Sequence, residues 1–382
     1  MKGRSNITMV DLHGQYLKIK EDVDNAIQSV IQDATFINGS IVNEFEQELS
    51  AYHNISFTKS CGNGTDALQI ALMSLDLQAG DEIILPAFTY FATVEVVLLL
   101  GLKPVFVDVN ADSFNIDTSL IELVITPKTK VIIPVHLYGQ CADMNAILEI
   151  AQKYNLFVIE DNAQSIGGHI KMNDGFIHKT GTIGDIGCTS FFPSKNLGAY
   201  GDGGALMTKH EALFQKISMI ANHGQKKKYF HEVVGINSRL DSIQAAILNV
   251  KLPHLDSYNV ARRRVAALYN EGFKNNPKIK IPHVVDGVYH VYHQYTVQLV
   301  EGIDRNMVKV ALEEEGIPCM VYYPVSCHQQ EAFLSQYPLQ ASLFPESERL
   351  AQQSLSLPIH TEMTEELVLY IIDKVLKVLS KF

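Results

Sequence analysis

The stretch 131–161 reads VIIPVHLYGQCADMNAILEIAQKYNLFVIED. Its ends, Val131–Val135 and Leu156–Ile159, are short apolar runs of strand length. Between them, Met144–Tyr154 places apolar residues at helical spacing. Strand, helix, strand at this distance is the repeating unit of a parallel sheet, because parallel pairing needs a long crossover. The second run leads straight into Glu160-Asp161. Ligands of open α/β sheets gather at the carboxyl ends of strands. A carboxylate buried there needs an ion pair, a helix to cap or a cationic ligand.

The same alternation extends towards the N-terminus. Ile83–Leu85 and Val105–Val109 are strand-like, and Thr93–Leu100 and Ser119–Val124 look helical. Residues 21–32 place Val23, Ala26, Ile27, Val30 and Ile31 on one helical face, and a second helix is expected after Gly39 through Phe45 and Leu49. Towards the C-terminus, residues 240–252 carry Leu240, Ile243, Ile247 and Val250 at helical spacing, with Pro253 as a stop. The character then changes: a charged helix with Arg262-Arg263-Arg264, a loop around Pro282 and Gly287, the strand 291–300 (VYHQYTVQLV) and the helix Met307–Glu315. The expectation is an α/β chain of two domains: 1–252, with a mainly parallel sheet, and a smaller α+β domain, 253–382.

Length and composition agree with this. A chain of 382 residues exceeds one ordinary core. With 31 basic and 42 acidic residues the formal charge is −11, which argues against a nucleic-acid partner. Five widely spaced cysteines, Cys61, Cys141, Cys188, Cys319 and Cys327, form no CxxC, so no disulfide framework or metal site is expected. Met1–Gly14 has no apolar core of a signal peptide, and the apolar run Val96–Leu100 is too short for a membrane span. A reducing cytoplasm is the expected setting.

Four segments carry candidate chemistry. Gly62-Asn63-Gly64-Thr65 opens a helix, so it is either a plain helix entry or a phosphate cradle of free N–H groups. Pro86-Ala87-Phe88-Thr89-Tyr90 follows a strand, and either aromatic could pack in the core or cover a ligand ring. Asp161 is the carboxylate already noted. In Thr189-Ser190-Phe191-Phe192-Pro193-Ser194-Lys195-Asn196-Leu197-Gly198, a lysine lies among aromatic and small residues before Gly201-Asp202-Gly203-Gly204, unlike a solvated surface lysine. Desolvation there would favour the neutral amine. Pyridoxal phosphate (PLP) asks for this set: a lysine for its aldehyde, a carboxylate for its ring nitrogen, a phosphate cradle and an aromatic face.

In sequence order, the motifs GTDAL (64–68), PAFTYFAT (86–93), LYGQCAD (137–143), IEDNAQS (159–165), TSFFPSKNLGAYGDGGA (189–205), NHGQ (222–225), GINSRLDSIQAAIL (235–248) and VYYP (321–324) resemble those of the DegT/DnrJ/EryC1/StrS sugar aminotransferases. The resemblance runs from Asp11-Leu12 to about Ile359. It implies PLP fold type I (aspartate aminotransferase-like), with residues 1–252 as the PLP-binding domain. It assigns Lys195 to the imine with PLP, Asp161 to the pyridine nitrogen and Gln164 to the ring's 3-hydroxyl side. Tyr90 takes the stacking position, and Gly64, Thr65 and Ser190 hold the phosphate. Asn63 stands where a serine is common. Asn237 would reach the cofactor of the second subunit of a homodimer. For substrate the resemblance points to Gln15, Tyr16, Arg239, Tyr323 and His328, with interdomain packing as the other reading of Tyr323 and His328. Lys226-Lys227-Lys228 is a solvated loop or a diphosphate clamp.

The implied activity is transamination of a nucleotide-linked keto sugar by L-glutamate through the pyridoxamine form. Lys195 separates this from sister dehydratases, in which histidine replaces the lysine. The motifs are most like those of enzymes aminating C3, such as UDP-2-acetamido-2-deoxy-3-oxo-glucuronate aminotransferases of surface-polysaccharide and O-antigen synthesis. The alternatives are dTDP-3-keto-6-deoxyhexose or 4-keto-sugar aminotransferases, and, from another class, a non-catalytic PLP- or sugar-binding regulator.

Overall fold

The computed structural model describes residues 7–337 and 344–382. Its central sheet has seven strands, in the order Phe57–Cys61, Gly204–Thr208, Ile186–Ser190, Phe157–Asp161, Thr129–Ile132, Glu82–Pro86, Lys103–Val107. From Ile186–Ser190 to Lys103–Val107 all neighbours are parallel. The other two pairings, of Gly204–Thr208 with Ile186–Ser190 and of Phe57–Cys61 with Gly204–Thr208, are antiparallel. Glu82–Pro86, Ile186–Ser190 and Gly204–Thr208 are buried along their whole length, as strands covered on both faces must be. Alternation along one strand fills both layers. Ile83 and Leu85 pack with the helices Gly64–Met73 and Ala92–Leu99, whereas Ile84 packs with Met144, Ile147 and Ile150 of the helix Met144–Tyr154.

The C-terminal part has its own core. A three-stranded antiparallel sheet, Ile279–Lys280, Tyr295–Leu299 and Ser354–Leu357, packs with the helices Leu255–Phe273, Arg305–Glu314 and Glu365–Leu379 through Val265, Tyr269, Val297, Leu312 and Ile371. One tie between the two parts is Asp108, just beyond the strand Lys103–Val107. Its carboxylate accepts from the backbone N–H groups of Glu346 and Ser347, at 3.0 and 2.9 Å, in the first turn of the helix Pro345–Gln353.

Several expected elements are revised. The strands anticipated to reach Val109 and Val135 stop at Val107 and Ile132; Pro134 has no N–H for the ladder, and Val135 keeps a single bridge to Asp161. Pro253 does not end the helical path. It sits in a 3₁₀ turn, Leu252–His254, after which helix resumes at Leu255. The arginine run does lie on a helix, as expected, and it is tied to backbone carbonyls. Arg262 is buried and donates to the carbonyls of Tyr292, His293 and Ile359, Arg263 donates to His290 O, and Arg264 to Met363 O. Of the run 291–300 only Tyr295–Leu299 is strand, because side-chain donors take the carbonyls of Val291, Tyr292 and His293. The strands Phe57–Cys61, Ile186–Ser190 and Gly204–Thr208 were not anticipated. Among the described residues, no helix is long and apolar enough to cross a membrane.

Candidate active site

The carboxyl edge of the parallel strands gathers the candidate residues. Strand Phe157–Asp161 ends in two carboxylates whose side chains leave on opposite faces. Glu160 accepts from His136 Nε2 at 2.8 Å and from the backbone N–H groups of Gly181, Ile183 and Gly184 at 2.8, 2.6 and 2.8 Å. Despite burial, these donors hold its carboxyl below the usual range. Asp161 is also buried but has less help: Thr93 Oγ1 donates at 2.8 Å and Ala163 N at 3.2 Å. Burial outweighs these donors and the charges of Lys195 and His136, and its carboxyl is raised. Among the described residues no basic side chain forms an ion pair with it.

Lys195 lies on the turn after strand Ile186–Ser190. Its backbone N–H donates to Phe192 O at 2.8 Å, and Ala199 N closes onto Phe191 O at 2.8 Å. Burial pushes its amine down to about 8, against the pull of the Asp161 carboxylate. Ser190, the last residue of that strand, faces Gly64. A Cβ on Gly64 would lie 2.7 Å from Ser190 Cβ. Asn63 caps the helix Gly64–Met73 by accepting from Asp66 N at 2.8 Å, a role asparagine fills as well as serine does. The N–H groups of Gly64 and Thr65 have no partner among the described residues. Ser238 braces this turn: its hydroxyl accepts from Gly62 N at 2.8 Å and donates to Asp66 Oδ2 at 2.6 Å.

The aromatics Phe88 and Tyr90 differ in exposure. Phe88 is fully buried against Val135, Leu137 and Tyr138, whereas Tyr90 is 60% exposed. Tyr90 lies 5.9 Å from the ring of Tyr323, on a segment of the C-terminal part that crosses the sheet edge. The Tyr323 hydroxyl accepts from Gln164 Nε2 at 3.0 Å, and Gln164 Oε1 accepts from Tyr138 N at 2.8 Å. Cys327 N anchors the same segment to Ala87 O at 2.8 Å.

The structure thus brings together Gly64, Thr65 and Ser190, then Asp161 with Lys195, then Tyr90, Gln164 and Tyr323. The remaining predicted residues are not joined to these by direct contacts. Gln15 is buried, and Tyr16 donates to Asp24 Oδ1 at 2.8 Å and meets Tyr200 edge-on. His328 is buried between Phe106 and Phe344, with Nε2 3.1 Å from Glu348. Asn237 is exposed, and Arg239 has a buried Nε without a partner among the described residues. Lys226 and Lys227 lie on a two-stranded hairpin, Gln225–Lys227 with Phe230–His231. Sequence reasoning missed Thr93, Ser238 and Tyr138. A threonine four residues before Val97 in an apolar helix was a usable signal; the backbone role of Tyr138 left none.

The model of the DegT/DnrJ/EryC1/StrS aminotransferase family matches residues 17–376. The chain belongs to this family. Three similar proteins are each 44% identical to it: a "Pleiotropic regulatory protein" of Geobacillus stearothermophilus over 97% of this chain and 98% of its own length, a UDP-N-acetyl-3-dehydro-alpha-D-glucosamine 3-aminotransferase of Acidithiobacillus ferrooxidans over 96% of each, and a UDP-2-acetamido-2-deoxy-3-oxo-D-glucuronate aminotransferase of Pseudomonas aeruginosa over 93% and 95%. The crystal structure of S. venezuelae DesV in complex with a ketimine intermediate superposes with a TM-score of 0.93, at 36% identity and 98% coverage of both chains.

Proposed function

We propose that this family member is a PLP-dependent aminotransferase that moves the amino group of L-glutamate to C3 of a UDP-linked 3-oxo sugar. The observation that carries the reading is the buried carboxylate of Asp161, held by Thr93 Oγ1 and without a basic partner among the described residues, in a chain of this family that keeps Lys195. The residues fit the cofactor. Asp161 lacks the cation that a protonated ring nitrogen would be. Gly64 leaves open the space that a Cβ would close against Ser190, and the free N–H groups of Gly64 and Thr65 suit a phosphate at the helix N-terminus. Tyr90 offers an exposed ring for stacking, and Gln164 with Tyr323 a polar edge.

When bound, PLP supplies an aldehyde that carries the amino group and an electron-poor ring that stabilises the negative charge left by a broken C–H bond. Lys195 Nζ would hold that aldehyde. Near neutral pH an amine at about 8 is partly neutral, so it is both nucleophile and base. As a base, Nζ would take the proton from Cα of glutamate and, in the return half, deliver a proton to C3 of the sugar. Asp161, fixed by Thr93, would face the ring nitrogen as its counter-charge.

A homodimer completes the site in this reading. Asn237 is exposed, and Phe36, Ile37, Tyr229, Phe230 and Val234 expose apolar side chains that suit a second copy. Burial alternates from Asn237 to Leu240, so Arg239 lies on the Asn237 side, where its unpaired Nε could meet a uronate carboxylate. Gln15, Tyr16 and His328 belong to the substrate side. We assign residues 1–252 to the cofactor domain and 253–382 to the small domain, and place the enzyme in the cytoplasm, in surface-polysaccharide synthesis of the O-antigen type.

The test is optical. The PLP-loaded protein should show the absorbance of lysine-bound cofactor, lose it with L-glutamate and regain it with a UDP-3-oxo sugar. Lys195→Ala should fold, lack that band and not turn over. A binding-only regulator would keep its colour in glutamate, and that result would overturn the proposal.

A further inference from the structure

Asn196, the residue after Lys195, is held on every side by buried polar groups. Its Nδ2 donates to Asn259 Oδ1 at 2.7 Å and to Val291 O at 3.1 Å. With both amide hydrogens used, Oδ1 is the acceptor, and it lies 3.3 Å from His293 Nδ1. His293 Nδ1 is therefore the protonated nitrogen, and Nε2 is the bare acceptor of a neutral ring. Asn259 Nδ2 is in turn directed at Ile166 O, at 3.3 Å. Asn259 and Arg262 stand three residues apart on the helix Leu255–Phe273, hence on one face. Arg262 holds the backbone at Tyr292 and His293, so the helix grips both the lysine turn and the segment facing it. Asn196, Asn259, Arg262 and His293 are all more than nine-tenths buried. Beside them Lys251 Nζ donates to Gly198 O, at the far end of the same turn.

A surface loop would not need this investment. Buried polar side chains are costly unless satisfied; here Asn196, Asn259 and His293 form one chain of hydrogen bonds, and Arg262 and Asn196 tie it to the carbonyls of Val291, Tyr292 and His293. The groups bearing on His293 are cationic, Lys195 and Arg262, and with burial as the main cause they keep its imidazole well below the ordinary value. Lys195 itself is faced by Asp161 and His293.

We propose that Asn196 is a positioning residue for the transamination proposed above: clamped by Asn259, the Val291 carbonyl and His293, it fixes the Lys195 turn against the C-terminal helix and holds a neutral imidazole near the lysine. Loosening the clamp admits water to the lysine, and its amine returns towards the ordinary value.

The test reads the lysine without turnover. Full-length, cofactor-free protein is trace-labelled with acetic anhydride across pH 6–10, and acetylation of Lys195 is followed by mass spectrometry. Asn196→Ala should raise the labelling midpoint by about one unit. After loading with PLP it should lower kcat about tenfold, with KM for the sugar changed less than about twofold. His293→Leu, which cannot donate to Asn196, should shift the midpoint likewise; His293→Gln, which can, should restore it. A folded Asn196→Ala with a wild-type midpoint overturns the proposal. If that variant does not fold, a wild-type midpoint in His293→Leu overturns it equally. Because labelling needs neither substrate nor turnover, a wild-type protein that glutamate fails to bleach would count against the proposed reaction alone.

Discussion

Glu160 and Asp161 are consecutive carboxylates on one strand, both buried, yet their surroundings treat them oppositely. Glu160 is wrapped by His136 and three backbone N–H groups, which lower its carboxyl; Asp161 has Thr93 and one N–H, and is raised. One is an anchor for the loop 181–184, and the other is a carboxylate with few donors.

This difference has opposite consequences for stability. Because Asp161 is raised on folding, its charge costs stability once the pH exceeds its unfolded value, and that cost disappears in acid. Asp161→Asn should therefore raise Tm of the cofactor-free protein at pH 7, while lowering kcat of the loaded enzyme by at least about 100-fold. Glu160 is lowered, so its contribution is present above the unfolded value and is lost as the pH falls through the folded one. Glu160→Gln should cost about 3 kcal/mol. Thermal melts of both proteins decide; an Asp161→Asn that melts as early as Glu160→Gln would remove Asp161 from the site.

Gly64→Ala tests the phosphate cradle. The added Cβ would come within 2.7 Å of Ser190 Cβ, a contact too short for either element to keep its place. PLP affinity should fall at least about tenfold, roughly 1.4 kcal/mol. Titration of the cofactor by absorbance measures this, and an unchanged affinity would put the phosphate elsewhere.

If Asn237 serves the partner's cofactor, Lys195→Ala and Asn237→Ala should each be inactive alone. Mixed under subunit exchange they should recover part of the activity, since a heterodimer holds one site with both residues intact. Demonstrated exchange without recovered activity would show that Asn237 acts within its own subunit or not at all.

Arg239→Gln should discriminate between substrates. A charge-assisted pair with a uronate carboxylate is worth roughly 1.5–3 kcal/mol. The apparent KM for a 3-oxo-glucuronate should therefore rise by about one to two decades, with a much smaller change for the matching 3-oxo-glucosamine. Equal losses on both would assign Arg239 to the diphosphate or to the subunit contact.

What the sequence made legible was whatever local periodicity encodes. Met144–Tyr154 was placed to the residue, because its apolar spacing is regular and Asp143 and Asn155 mark its ends. Ile186–Ser190 and Gly204–Thr208 escaped because glycine and small polar residues dilute any apolar pattern, although both are fully buried. The arginine run was legible as a charged helix but its partners were not, because carbonyls such as Tyr292 O and His293 O come from a segment some thirty residues away. Among the candidate residues, Asp161, Lys195 and Gly64 stand out by their chemistry at element ends; Thr93 and Asn196 do not, because their partners Asp161, Asn259 and His293 are near only in the folded chain.

The carboxylate of Asp108 finishes a helix that begins more than 230 residues later in the chain, at Pro345. During translation the sheet leaves the ribosome first, and Asp108 emerges at its edge with acceptors still turned to water. The later segment arrives with Glu346 and Ser347 N–H groups that its own sequence leaves uncapped. Its first turn is therefore completed by a side chain of the other part, so that helix can be fully capped only where the two parts meet.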